Sequence, residues 1–189
     1  GKFRTRDNLL NPNLQYDTLV DARDGQIYRT YNGIMAENLN YDDGKAVCYN
    51  YDEKNCSLLG RMYGIESLDT VSFESPCPEG WRLPQGVEFK YWNFGLGRNM
   101  TDVNREQEKR SYEGMSLQNV FPMGVFSDGK FLGFGGDAWF WGVGNDNSSM
   151  KVEAYFGSVD VVESTDVRDY KMPIRCVEKD RYGDVDGNQ

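Results

Sequence analysis

Four cysteines constrain the fold of this chain more than any other feature of its sequence. Four cysteines allow three pairings. Cys48 and Cys56 are close enough to close a small loop, and Cys77 and Cys176 would then join the middle of the chain to its C-terminal part. In the chain-entropy model a loop of about 100 residues stabilises the fold by roughly 4–5 kcal/mol, and the small loop by about half of that. The alternative is four buried free thiols in a cytosolic protein, but the even count and the short cysteine loop favour disulfides and an oxidising compartment.

Size and charge limit the class of partner. The 189 residues fit one domain with a proper core. The net charge is −9, from 21 basic and 30 acidic residues. We therefore expect no nucleic-acid partner, because phosphate binding depends on clustered Lys and Arg. No stretch approaches the roughly 20 apolar residues of a membrane span, and no signal peptide is visible.

The absence of histidine limits the possible chemistry. It excludes Ser-His-Asp and Cys-His catalysis and His-ligated zinc. A glycosidase would need two facing carboxylates. The acidic pairs Asp42-Asp43 and Asp52-Glu53 lie in polar segments and stand in no interpretable motif. We therefore expect a protein that is not an enzyme.

Short strands separated by turn signals dominate the chain. Asp-Gly dipeptides at 24–25 and 128–129 predict two hairpins, the first with Val20 and Ile27 on either side of its turn and the second with two aromatic-rich arms. Further strands are predicted in three apolar segments, 138–144, 152–162 and 172–179.

Helical patterns are few. Three segments fit a helix: 35–39, 58–68 and 85–95. The last begins behind Pro84 and has Phe89 and Trp92 at i, i+3. The order of elements predicts an α+β fold in which N- and C-terminal strands share one sheet around two helices and a long loop region.

The domain organisation follows from the polar ends of the chain. We expect residues 1–19 and 181–189 to be loosely ordered, on either side of a domain that spans 20–180. No internal repeat and no interdomain linker is visible in the sequence.

A set of short motifs, taken in order, resembles the Fibrobacter succinogenes major paralogous domain family over roughly residues 20–180. The motifs are "DARDGQIYRT", "MAENLNYD", "CYNYDEKNC", "GRMYG", "CPEGWRLP", "FPMGVFSDGKF", "FWG" and "IRCVEKD". Each is weak alone, but their common order is specific.

The resemblance implies a C-type lectin-like fold, in the branch that includes formylglycine-generating enzymes. In such a fold Cys77 would be tied to Cys176 and Trp81 would lie in the core. The enzymes of that branch need two closely spaced reactive cysteines near the C-terminus, where this chain has only Cys176. The resemblance also implies an exported bacterial protein, secreted or on the cell surface and in many cases a lipoprotein, without an established activity.

The segment 135–149 is the predicted ligand site, because it joins aromatic surface to amide and carboxylate groups on a glycine-rich connection. The predicted contact residues are Trp139, Trp141, Asn145, Asp146 and Asn147. Aromatic faces stack on sugar rings while Asn and Asp bind hydroxyls, and the same oxygens suit calcium. The alternative is that both tryptophans belong to the core and that 145–149 is a solvent turn.

These observations predict a non-catalytic, exported cell-surface domain that recognises a glycan or protein ligand through its loop region. The alternative is a structural or assembly module of the bacterial envelope that binds no small ligand.

Overall fold

The computed structural model describes the backbone over residues 10, 14–85, 123–135, 138–143, 149–155, 158–163 and 169–179. The described chain is mostly β-sheet with one α-helix. No helix in these ranges is long and apolar enough to cross a membrane.

The first sheet brings the two ends of the described chain together. It has five strands in the order β1-β2-β3-β12-β5. The bounds are β1 Asp17–Val20, β2 Ile27–Tyr31, β3 Ile34–Met35, β5 Trp81–Arg82 and β12 Val177–Glu178. Because β12 pairs with β3, N- and C-terminal strands share one sheet, which confirms the sequence prediction. The sheet begins at Asp17, inside the segment 1–19 that we expected to be loosely ordered.

The β1–β2 hairpin confirms the first predicted turn. Val20 pairs with Ile27. Between them, the Asp21 N–H donates to Gln26 O at 2.8 Å and the Gly25 N–H donates to Asp21 O at 2.7 Å. Gly25 has a φ of 76°, a left-handed conformation that favours glycine.

The second sheet holds the other predicted hairpin. Its order is β4-β11-β6-β7. The bounds are β4 Tyr63–Gly64, β6 Val125–Ser127, β7 Lys130–Leu132 and β11 Tyr170–Met172. Asp128 and Gly129 connect β6 to β7 with φ values of 52° and 73°, as a two-residue type I′ turn requires.

A third sheet has the order β10-β9-β8. The bounds are β8 Ala138–Val143, β9 Ser149–Tyr155 and β10 Ser158–Glu163, so strands form in the predicted segments. β8 also joins the core: the Trp141 N–H donates to Pro173 O at 3.1 Å, and the Val143 N–H donates to Pro84 O at 2.9 Å. Phe140, Trp141 and Val143 are buried.

Both predicted disulfides are present. Cys48 and Cys56 are bonded across a separation of 8 residues, and Cys77 and Cys176 across 99. The long-range bond lies in the main core, against which Trp81 packs as a partly buried side chain.

Two helix predictions are wrong. Residues 35–39 are not helical, because their backbone groups bond to other segments: the Ala36 N–H donates to Arg29 O at 2.8 Å and the Leu39 N–H to Ile174 O at 2.9 Å. Residues 58–68 are not one helix either. The helix α1 spans Glu53–Leu59 and ends at Gly60, where a Cβ would lie 2.6 Å from Asn38 Cβ.

The helix α1 begins before the predicted segment 58–68, because its N-terminal cap is Asp52. The Asp52 side chain accepts a hydrogen bond from the Lys54 N–H at 3.0 Å and caps the helix. After Gly60, Met62 pairs with Val47, and β4 and a 3₁₀ turn at Ile65–Ser67 follow. The predicted helix at 85–95 lies outside the described residues, apart from Gln85.

Candidate functional site

The described part of the predicted ligand site contains its two tryptophans. Trp141 is fully buried, and its Nε1 donates to Tyr63 O at 2.6 Å. Its ring is therefore a core element, which corrects the expectation that it contacts a ligand. Trp139 is partly buried and meets Tyr170 edge to face, with centroids 6.4 Å apart. The remaining predicted contacts, Asn145, Asp146 and Asn147, lie outside the described residues.

A cluster of aromatic rings lies elsewhere, between the 3₁₀ turn at Tyr49–Tyr51 and the β6–β7 hairpin. We call it the aromatic surface. It consists of Tyr49, Tyr51, Phe126, Phe131 and Phe134. The centroid distances are 3.9 Å for Tyr49–Phe134, 5.2 Å for Tyr49–Phe131, 5.1 Å for Tyr51–Phe131, 6.1 Å for Tyr51–Phe126 and 5.0 Å for Phe126–Phe131. The rings therefore form one continuous cluster.

Exposure differs within this cluster. Tyr51 is 66% exposed and Phe134 is 42% exposed. Tyr49, Phe126 and Phe131 are partly buried and pack against a small core of Leu59, Met62 and Met123. The two exposed rings are thus supported by inner rings that rest on apolar side chains.

The turn that carries Tyr49 and Tyr51 is fastened at both ends. The disulfide joins Cys48, just before the turn, to Cys56 in α1. The Tyr51 N–H donates to Cys48 O at 2.9 Å, and Asn55 Nδ2 donates to Tyr49 O at 3.0 Å. These bonds fix the backbone of the turn relative to α1.

The backbone of this turn is also strained. Asn50 and Tyr51 both have a left-handed φ of 57°. This conformation costs a residue other than glycine about 1–2 kcal/mol, although asparagine tolerates it better than tyrosine. Such strain is common at functional segments, where the surrounding structure imposes it.

The β6–β7 hairpin carries Phe126 and Phe131 on the other side of the aromatic surface. Phe126 and Phe131 are directly opposite each other on β6 and β7. Gly124 lies so close to the far arm that a Cβ there would collide with Leu132 O. β6 also pairs with β11, which ties the hairpin to the second sheet.

Charged residues of both signs occur in the two segments that carry the aromatic surface. Segment 48–61 has two acidic residues, Asp52 and Glu53, and two basic ones, Lys54 and Arg61; segment 123–135 has one of each, Asp128 and Lys130. Arg61 is nearly buried and donates to Glu53 Oε2 at 2.9 Å, and its NH1 lies 3.5 Å from Cys48 Sγ. These two segments together carry no net charge, and Asp42, from outside them, lies 3.9 Å from Arg61 NH2.

The buried charges of the described chain have structural partners. Burial favours a raised pKa for Asp21, but hydrogen bonds and charge from Arg23 outweigh it and hold the pKa below the usual value. Glu37 accepts hydrogen bonds from the Arg29 backbone and guanidinium at 2.7–3.0 Å. Burial lowers the pKa of Arg175 to about 10, and its Nε donates to Asn38 Oδ1 at 2.8 Å.

One group of potential metal ligands occurs among the described residues, and it does not suit a metal. Cys48, Glu53 and Cys56 bring their ligand atoms within 4.8 Å of one another. However, the two sulfurs are bonded to each other, and Glu53 pairs with Arg61. Metal coordination by cysteine needs free thiolates.

No family model matches this chain, and no curated protein and no solved structure is significantly similar to it. Its function must therefore be inferred from the geometry of its own residues.

Proposed function

We propose that this protein is a non-catalytic binding domain that contacts its partner through the aromatic surface. The observation that carries the proposal is the cluster of five rings with two exposed members, Tyr51 and Phe134. Rigid aromatic side chains bring a large contact area with little loss of conformational entropy, and they are enriched at recognition sites.

The construction of the surface supports a binding role. Tyr51 contributes little to the stability of the fold, since it lies in a strained backbone and is 66% exposed. A disulfide on one side and a type I′ hairpin on the other hold the rings in place. A rigid frame that presents exposed rings lowers the entropic cost of binding.

We also propose an exported location and a C-type lectin-like fold. Two disulfides support an oxidising compartment, such as the cell surface or the extracellular space, with lipid anchorage as one form of attachment. The pairing of β12 with β3 and the Cys77–Cys176 bond support the fold proposal, since they tie both ends of the domain into one sheet.

A comparison of two variants with the parent protein tests the binding role. Tyr51→Asn removes the most exposed ring and places a residue that tolerates a positive φ at a φ of 57°. Val71→Ser removes an 89% exposed apolar side chain in another turn and serves as the control. On defined panels of extracellular glycans and purified envelope proteins, we expect Tyr51→Asn to lose the parent's binding and Val71→Ser to retain it. Equal binding by all three proteins would contradict the proposal.

A further inference from the structure

We infer that the open edge of the first sheet binds an extended, basic segment of a partner protein by strand addition. The edge strand is β1, which pairs with β2 on one side only. This edge lies in another sheet than the β6–β7 hairpin of the aromatic surface, and the inference does not depend on the proposed function. It follows from the backbone pattern, the side chains and the charge of β1.

The hydrogen bonds of β2 show which backbone groups of β1 point outward. Thr18 is directly opposite Arg29. The Arg29 N–H donates to Glu37 Oε2 at 2.7 Å, and Arg29 O accepts the Ala36 N–H at 2.8 Å, so neither backbone group of Arg29 is directed at β1. Thr18 and Arg29 therefore form a non-hydrogen-bonded pair. Because such pairs alternate along an antiparallel ladder, Val20 belongs to the next one.

The backbone of β1 therefore offers a row of free groups to an added strand. Thr18 and Val20 direct two N–H and two C=O groups away from β2, and none of these groups has a partner among the residues that the structure describes. Edge strands are commonly protected by a proline, a bulge or charged side chains. Residues 17–20 contain no proline, pair with β2 without a bulge and carry one charge, that of Asp17. In strand addition, main-chain hydrogen bonds to such groups supply the affinity.

The side chains of β1 specify the residues of the partner strand. Leu19 is on the core side of the sheet and is partly buried against the main core. Val20 is on the opposite face and is 58% exposed. An apolar partner residue opposite Leu19 would extend the core face. β-Branched residues opposite Thr18 and Val20 would pack on the exposed face.

Charge favours a basic segment. Asp17 is exposed and forms no ion pair with the part of the chain that the structure describes. It is on the same face as Leu19, two positions earlier. A lysine or arginine directly opposite Asp17 would form a stabilising cross-strand pair. The net charge of −9 also attracts a basic segment at long range.

A second copy of β1 fits this edge poorly. If two β1 strands paired antiparallel and used all their outward groups, Thr18 of each copy would be opposite Val20 of the other. Asp17 of each copy would then be opposite Asp21 of the other. Like charges directly opposite each other are destabilising, and two chains of charge −9 repel each other.

The test uses the full chain and a short synthetic peptide with the central run Thr-Val-Thr-Lys. In an antiparallel arrangement its valine is opposite Leu19 and its lysine is opposite Asp17. Binding is followed through the backbone amide NMR signals up to about 1 mM peptide, the limit of weak affinity. We expect the amide signals of Thr18 and Val20 to shift and their hydrogen exchange to slow, with no change at Val71. Absence of binding in this range would overturn the inference.

Modified peptides test the backbone contacts. The two threonines of the central run direct their N–H groups at β1, whereas the N–H of the valine between them points away. We expect N-methylation of the two threonines to weaken binding about tenfold or more, and N-methylation of the valine to have little effect. Equal effects at both kinds of position would contradict strand addition.

Charge-reversed pairs test the basic character of the partner. We expect a peptide with glutamate in place of lysine to bind more weakly to the parent protein, and Asp17→Lys to reverse this preference. Glu79→Lys makes the same change in net charge at an exposed position before β5, the opposite edge of the sheet, and should keep the parent's preference. Equal affinity of the parent for both peptides would overturn the basic specificity.

A proline variant tests the edge without disturbing the β1–β2 pairing. Thr18→Pro removes an outward N–H that β2 does not use, and such edge positions accept proline. The substitution also restricts Asp17 to the extended backbone that it already has. We expect a melting temperature close to that of the parent and peptide binding weakened about tenfold or more, whereas Val71→Ser should bind like the parent. A folded Thr18→Pro variant with the parent's affinity would overturn the inference, and if the variant does not fold, the N-methylated peptides decide the same question.

Discussion

Tyr49 stacks on Phe134 with ring centroids 3.9 Å apart and ring planes 18° from parallel. The contact joins the turn beside the Cys48–Cys56 disulfide to the residues that follow β7, two segments distant in sequence. Aromatic pairs of this kind contribute about 0.5–1.5 kcal/mol beyond the area that they bury. The aromatic surface therefore depends on the correct position of both segments.

The strain at Tyr51 predicts a difference between two substitutions that both remove its ring. At a φ of 57°, asparagine is tolerated, whereas a β-branched residue is strongly disfavoured. We expect Tyr51→Val to be less stable than Tyr51→Asn by about 1–2 kcal/mol. Urea unfolding of both variants measures this difference. Equal stability would show that the left-handed backbone at Tyr51 is absent in solution.

The position of Trp141 predicts a large effect on stability. Trp141→Phe leaves a void and removes the donor to Tyr63 O, so we expect a loss of about 2–4 kcal/mol. Trp139→Phe, at a partly buried position of the same strand, is the matched control and should cost less. If denaturant unfolding shows that Trp139→Phe loses more stability than Trp141→Phe, β8 faces the core in a different register.

The two disulfides should have different consequences. Replacing Cys77 and Cys176 by alanine opens a loop of 99 residues, and we expect a loss of about 4 kcal/mol. Replacing Cys48 and Cys56 by serine should cost less stability but should weaken ligand binding, because the turn of Tyr49 and Tyr51 is released.

Peptide mapping without reductant should find both disulfide pairs. Four alkylatable thiols would contradict the pairing and the exported location.

Asp21 predicts a pH dependence of stability. Its pKa in the folded protein is lower than its usual value of 3.8, so its ionised form stabilises the fold above that pH. This stabilisation is lost as the pH falls through the lowered folded-state pKa. Asp21→Asn should therefore be less stable than the parent at neutral pH, and the gap should narrow below about pH 4. Asp17→Asn, exposed on β1, controls for the loss of one negative charge. A gap between Asp21→Asn and the parent that does not change with pH would contradict the role of the carboxylate.

Hairpins and disulfides could be predicted from the sequence because their signals are local or restricted in number. The Asp128-Gly129 dipeptide favours a type I′ turn by itself, and four cysteines allow only three pairings. The helix expected at 35–39 failed because tertiary contacts decide that segment: Leu39 is buried and bonds Ile174 across the chain.

The aromatic surface could not be predicted in the same way. The aromatic arms of the second hairpin are visible in the sequence, but the tyrosines between Cys48 and Cys56 sit among polar residues that suggest only a solvated turn. Their relation to Phe131 and Phe134 exists only after folding. Trp141 illustrates the converse, since an aromatic residue in a glycine-rich segment proved to be core.

The most direct measurement is the NMR chemical-shift response of aromatic ring, methyl and amide signals during titration with a glycan or envelope protein that the parent protein binds. We expect ring signals of Tyr51 and Phe134 to shift most, with smaller changes at Tyr49 and Phe131 and none at Val71. Shifts confined to Trp139 and to Asn145–Asn147, with the rings of Tyr51 and Phe134 unchanged, would contradict the aromatic surface as the binding site and would favour the loop predicted from the sequence.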